Sequence, residues 1–192
     1  MLILASQSPR RQEILSRAGI RFILRPAEVS EERMGDEDPR EHVRRLARLK
    51  AEAVAAAPED IVLGADTVVV AEGRILGKPA DPEQAAWMLR QLSGREHEVI
   101  TGFCLRAGGR RIVEVESTRV RFVPLSDGEI ADYVASGEPM DKAGAYAIQG
   151  LASKFIDRIE GCYFNVVGLP VSLVYRRLSQ LRASAAEACD KL

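Results

Sequence analysis

The run IVLGADTVVV, residues 61–70, constrains the fold more than any other stretch of this chain. It is apolar on both faces and reads as a buried strand, and AEGRILGKP after it supplies a Glu-Gly turn and a short return strand. Around this hairpin, helical and extended patterns alternate along the chain. Helices interspersed with strands, with hairpins among them, point to an α/β class built on a mixed sheet. A length of 192 residues with 46% hydrophobic content suits one domain spanning 1–192, near the size at which a core divides into two close-packed lobes.

LASQSPRRQEILSRAGI reads as a strand end, a polar turn and a helix from Pro9, capped by Ser8 and stopped at Gly19. RFILRPAEVSEERMGDEDPR is a strand followed by an acidic loop. Asp38, Pro39 and Glu41 open a helix expected to continue through REHVRRLARLKAEAVAAA, and DPEQAAWMLRQLSG is a second capped helix ending at Gly94. HEVITGFCLRAGGRRIVEVESTRVRFVPL is β-rich, with AGG as a hairpin turn. Ser126 and Glu129 form a capping box for a helix ending at Gly137, and Pro170 opens the last helix.

Charge is nearly balanced, 27 Lys+Arg against 28 Asp+Glu, and aromatic content is 5%, which argues against a nucleic-acid surface and makes any anion site local. Cys104, Cys162 and Cys189 are odd in number and far apart, which argues against a disulfide framework or thiolate zinc and for a reducing compartment. The first residues lack the pattern of a secretory signal, and no apolar run approaches the ~20 residues of a membrane span. The expectation is a soluble cytoplasmic protein without membrane or stable nucleic-acid partners.

Arg10 and Arg11 stand in the first turn of their helix, where free N–H groups and the dipole are already positive. A phosphate bound there would make the charge useful; otherwise the side chains extend into water or pair with Glu13. At ~100° per residue Lys50 shares a face with Val43, Leu46, Ala47 and Val54, so a cation points inward, lining a site or snorkelling to an edge. Asp66 is a carboxylate in an apolar strand and needs a lysine, a metal or a catalytic duty, unless a turn at Gly64–Ala65 exposes it. Lys78 lies a hairpin's length beyond. GRILGKP is not a P-loop, because only three residues separate Gly73 from Gly77 and Pro79 stands where Ser or Thr would bind magnesium. Cations and a buried carboxylate at element ends describe an enzyme acting on a small polyphosphate, and with only His42 and His97 a metal would be hard and oxygen-bound, Mg2+ or Mn2+.

LASQSPRRQEIL, GADTVV, GKP, DKAGAYAIQG and NVVGLP, in this order over nearly the whole chain, resemble the Maf family of nucleoside triphosphate pyrophosphatases. The resemblance implies an elongated α/β fold, a mixed β-sheet flanked by helices around a central cleft, shared with the inosine triphosphate pyrophosphatases, and often a homodimer. It implies metal-assisted hydrolysis between the α- and β-phosphates. Ser6, Arg10, Arg11, Lys50 and Lys78 would hold the triphosphate, Asp66 would activate water, and Glu28 would help Asp66 hold the metal, with Glu31 and Glu32 competing for that place. Arg11, Thr67 and Gln149 match the subgroup preferring dTTP and UTP rather than 7-methyl-GTP, and an amide at Gln149 offers the donor and acceptor that a uracil or thymine edge needs. The alternatives are a 7-methyl-GTP pyrophosphatase, or a nucleotide-binding regulator of septum formation without turnover.

Overall fold

The computed structural model describes residues 1–189, with side chains through Ala183; the side chain of Cys189 lies outside the described residues. The run at 61–70 forms most of a strand, Ile61–Ala71, in which every residue except Thr67 and Val70 is buried. In chain order the elements are β1 (Leu2–Leu4), α1 (Pro9–Arg17), β2 (Ile23–Leu24), α2 (Pro39–Glu52), β3 (Ile61–Ala71), β4 (Arg74–Leu76), α3 (Pro82–Leu92), β5 (Glu96–Ala107), β6 (Arg110–Phe122), α4 (Asp127–Ala135), β7 (Ile156–Glu160), α5 (Tyr163–Val167) and α6 (Val171–Cys189). Three single-turn 3-10 segments lie between α4 and β7.

The strands form one seven-stranded sheet in the order β2-β1-β3-β5-β6-β7, with β4 also paired to β3. It is mixed, as expected. β1 runs parallel to β2 and β3, with Ile3 opposite Ile23 and Val62, whereas β3–β4 and β6–β7 are antiparallel. The β3–β4 turn is Glu72–Gly73, both at positive φ, the conformation that matches the twist of a tight hairpin.

The chain forms two compact units. The first contains Met1–Asp66, Gly102–Val115 and the chain from Gly168 onward; the second contains Thr67–Thr101 and Glu116–Val167. The first has a core of Ile3, Ala5, Ala47, Ala51, Val54, Val62 and Cys104. The second is built on aromatic packing, with Phe122 edge-on to Tyr146 and Tyr133 edge-on to Phe155. No helix among the described residues is long and apolar enough to cross a membrane.

Most local signals were obeyed. Asp38 accepts from the Arg40 N–H at 2.8 Å, Asp81 accepts from the Gln84 N–H at 2.7 Å, and Ser126 with Glu129 completes its reciprocal cap. Two were not. Ser8 occupies the cap position of α1, but its side chain makes no capping bond. The α2 helix ends at Glu52, although the Ala-rich sequence would continue it to 57. There the chain turns so that Val54 joins the core, and Arg106 donates to the carbonyls of Ala51 and Val54 at 3.0 and 2.6 Å, satisfying acceptors at the helix end.

Candidate active site

The seating of α2 determines where Lys50 sits. A Cβ at Gly64 would lie 2.2 Å from the Ala47 carbonyl oxygen, and one at Gly102 would lie 2.5 Å from that of Val43. Backbone atoms cannot swing aside as a flexible side chain can, so these two glycines permit α2 to rest on β3 and β5 with nothing between them. The apolar stripe turns inward, and Val43, Leu46, Ala47 and Lys50 are all buried along it. The Lys50 ammonium meets Asp66 Oδ1 at 2.7 Å and Glu31 Oε1 at 2.6 Å. Asp66 is 7% exposed, and β3 runs through Gly64–Ala65 without a turn. Both side chains that the sequence marked as anomalies are therefore buried together as an ion pair, the arrangement a charge requires when it leaves water.

At the end of β1 the chain passes through Ser6 into α1. Arg11 is 8% exposed and folds back under the helix start, donating from Nε to the Gly168 carbonyl at 2.8 Å and from Nη1 to Ser6 Oγ and the Ala65 carbonyl at 3.1 and 2.9 Å. Burial lowers the guanidinium pKa from its usual value, and Asp66 opposes that effect. Arg11 stays cationic nonetheless, because an arginine starts so far above neutrality. It is thus neither solvated nor paired with Glu13, which instead bridges to Arg17 one turn on. Arg10 is half-buried on the same turn.

The acidic loop that follows β2 is held against α2. Glu37 takes a two-pronged contact from Arg45, Nε to Oε1 at 2.7 Å and Nη2 to Oε2 at 2.8 Å, and lies 3.1 Å from His42 Nδ1. Arg45 also donates to the Glu32 carbonyl at 3.0 Å. Arg45 holds the Glu37 carboxyl well below its usual range, at about 2. This anchoring begins one residue beyond Glu31, the acidic residue that reaches Lys50. Glu28 is exposed and makes no hydrogen bond or ion pair with a described residue. The sequence offered three acidic candidates, and Lys50 receives Glu31.

In the second unit, Thr67 Oγ1 lies 2.9 Å from Thr101 Oγ1, and Thr101 donates onward to the Asn165 carbonyl at 3.2 Å. Thr101 has one hydroxyl proton, so the Thr67 hydroxyl is the donor between the two. Asn165 is fully buried, donating to the Val99 carbonyl and to Thr118 Oγ1. The β3–β4 ladder ends at Leu76; Lys78, two residues on, is exposed and makes no hydrogen bond or ion pair with a described residue. Gln149 is exposed in a turn, and its amide bonds no described residue. Thr101 carried no signal in the sequence, since a threonine in a strand is ordinary, and Asn165 stood out only as the first residue of the NVVGLP motif, with nothing to show that it would be buried.

The first unit thus offers a carboxylate held by a buried cation and arginines at a helix start, and in the second unit Lys78 and Gln149 are exposed. Residues 1–181 match the family described as Maf-like protein. The chain is 57% identical over 178 residues to a dTTP/UTP pyrophosphatase of Koribacter versatilis, covering 92% of each chain. It is 54% identical over 180 residues to one of Symbiobacterium thermophilum, covering 93% of each. Among solved structures, the Ham1 protein of Staphylococcus aureus is similar at a TM-score of 0.47 and 14% identity, over 80% of this chain and 90% of that one. The motifs, the length of the match and its identity together place this chain in the Maf-like protein family.

Proposed function

We propose that this chain hydrolyses nucleoside triphosphates, dTTP and UTP foremost, to the monophosphate and pyrophosphate. One observation carries the reading: the buried Lys50 ammonium is shared by Asp66 and Glu31. The names and high identity of the two pyrophosphatase relatives support it. A triphosphate repels a water nucleophile until its charge is neutralised, and positive groups held in place do this without reorganising. Arg10, Arg11, Lys50 and Lys78 are the positive groups we assign to the triphosphate, with the Ser6 hydroxyl as a hydrogen-bonding partner. Arg11 acts as a fixed charge, since its guanidinium already serves Ser6, Ala65 and Gly168. Arg10 and Lys78 have the more accessible side chains and reach phosphate oxygens directly.

Asp66 is the general base. It takes a proton as the water oxygen bonds to the α-phosphorus, and the bond from that phosphorus to the bridging oxygen breaks, releasing pyrophosphate. A positioned base is worth ~100- to 10,000-fold. Lys50 holds the Asp66 carboxylate in a fixed orientation.

Among the described residues no three His, Cys, Asp or Glu side chains gather as a metal cage. Two carboxylates on one ammonium still fit Mg2+ or Mn2+, hard ions commonly held by one or two carboxylates, waters and substrate phosphates. Asp66 would hold the ion, with Glu31 in the place that the sequence reading gave Glu28. When bound it neutralises phosphate charge and polarises the phosphoryl group. Thr67 and Gln149 read the base. Nucleotides of this class are intracellular metabolites, which favours the cytoplasm as the compartment.

The test is pyrophosphate release from dTTP, UTP and 7-methyl-GTP with Mg2+ or Mn2+ present. dTTP and UTP should be hydrolysed at least about tenfold better than 7-methyl-GTP. Preference for 7-methyl-GTP would overturn the assignment of the base, and absence of release from every nucleotide would overturn the activity.

A further inference from the structure

The turn bearing Gln149 is held from beneath, and not by Gln149. At one end, the Ala147 N–H donates to Tyr133 Oη at 3.2 Å, and the Tyr133 hydroxyl donates to Glu138 Oε1 at 2.8 Å. At the other end, the Leu151 N–H donates to Glu138 Oε1 and Oε2 at 3.0 and 3.1 Å. One carboxylate therefore ties down both ends of Ala147–Leu151, one of them through a tyrosine. The contact is close: a Cβ at Gly150 would lie 2.4 Å from both Glu138 oxygens, so any larger residue there would push the carboxylate off the turn. Tyr133 is 3% exposed on α4 and edge-on to Phe155, and burial pushes its phenol above the usual range, so it remains a donor at any working pH. The backbone beneath Gln149 is thus fixed while its amide stays accessible.

We infer that Glu138, with Tyr133 as its relay, is the positioning residue that orients Gln149 and so sets selectivity among nucleotide bases. This rests on the reading above in which Gln149 meets the base. A hydrogen bond discriminates only when its donor and acceptor are held in register with the ligand, and a turn loosened by one bond lets the amide follow the wrong base as readily as the right one. Neither Glu138 nor Tyr133 needs to touch the nucleotide.

The experiment measures kcat/KM for dTTP and for 7-methyl-GTP in wild type, Gln149→Ala, Tyr133→Phe, Glu138→Ala, Glu138→Gln and the double variant Glu138→Ala/Gln149→Ala. Glu138→Ala should lower the dTTP preference about tenfold and Tyr133→Phe about fivefold. Glu138→Gln keeps a carbonyl oxygen for both donors and should stay within about threefold of wild type. The double variant should be no less selective than Gln149→Ala alone, because the two residues act through one contact. A merely structural role would lower both kcat/KM values in parallel and leave their ratio unmoved. If Glu138→Ala does not fold, Tyr133→Phe, which removes one hydroxyl, decides the matter. Selectivity unchanged in Gln149→Ala would sink the base assignment and this inference with it. Selectivity lost in Gln149→Ala but retained in Tyr133→Phe and Glu138→Ala would overturn the positioning role alone.

Discussion

Lys50 and Asp66 each make the other's burial tolerable, and that mutual dependence is testable one residue at a time. Lys50→Ala leaves Asp66 as a buried carboxylate without its ammonium, which costs on the order of 3 kcal/mol of stability. It should also lower turnover at least about tenfold, ~1.4 kcal/mol of transition-state stabilisation. Adding Asp66→Asn to that variant removes the uncompensated charge, so thermal melts should recover part of the lost Tm while turnover stays at background. A double variant no more stable than Lys50→Ala would mean the pair is not the origin of the loss. His97 gives a second single-residue prediction. It is 4% exposed, its Nε2 lies 2.8 Å from Tyr146 Oη, its Nδ1 has no described partner, and burial pulls its pKa down to about 4. Between pH 6.5 and 4 the unfolded chain binds a proton there that the folded chain refuses, so stability falls as pH drops through that window. His97→Gln should flatten this part of the Tm profile, and equal slopes in both proteins would count against the buried neutral imidazole.

At the scale of elements, α2 does more than fill a face of the sheet. Its inward stripe delivers Lys50, and Arg45 and His42 on the same helix hold the acidic loop through Glu37. A carboxylate brought down from its usual 4.5 to about 2 contributes stability that is fully present above pH 4.5 and is lost as pH falls through 2. Glu37→Gln should therefore lower Tm most near neutrality, with the gap to wild type closing as pH falls from 4.5 toward 2. That window meets the one belonging to His97 only between pH 4.5 and 4, so the two effects separate in one titration above and below that overlap. A gap that stayed constant down to pH 2 would show that the Arg45 contact does not stabilise the folded chain.

For the whole molecule, substrate binding and folding are linked, because a ligand that binds only the folded chain stabilises it by mass action. Asp66→Asn cannot accept a proton from water and should bind dTTP without consuming it. With dTTP at about 100 times its Kd, that variant should gain ~2.7 kcal/mol, a rise in Tm of about 5–10 °C for a chain of this size. An unchanged Tm, with binding also lost by calorimetry, would leave Asp66 only the role of holding the nucleotide or its metal and would overturn its role as the base.

The local physics was legible in the sequence: Asp38, Asp81 and Ser126 cap their helices, Glu72–Gly73 turns the hairpin, and the spacing of Val43, Leu46, Ala47 and Lys50 places one cation on a buried face. These depend on neighbours a few positions away, whose identities the chain states directly. The charges out of place, Arg11, Lys50 and Asp66, also stood out, because burying charge is costly enough to demand a reason. The partners were decided only in three dimensions. Arg11 bonds the carbonyls of Ala65 and Gly168, and every residue carries a carbonyl, so although both lie in motifs nothing in the sequence marks them as its acceptors. Glu28, Glu31 and Glu32 are the same chemical group at nearby positions, and only the path of a loop held down by Arg45 brings Glu31 to Lys50. The α2 helix stopped short of its Ala-rich tail for the same kind of reason: Arg106, some fifty residues away in sequence, meets the carbonyls of Ala51 and Val54, and helix propensity is too weak to outweigh that packing.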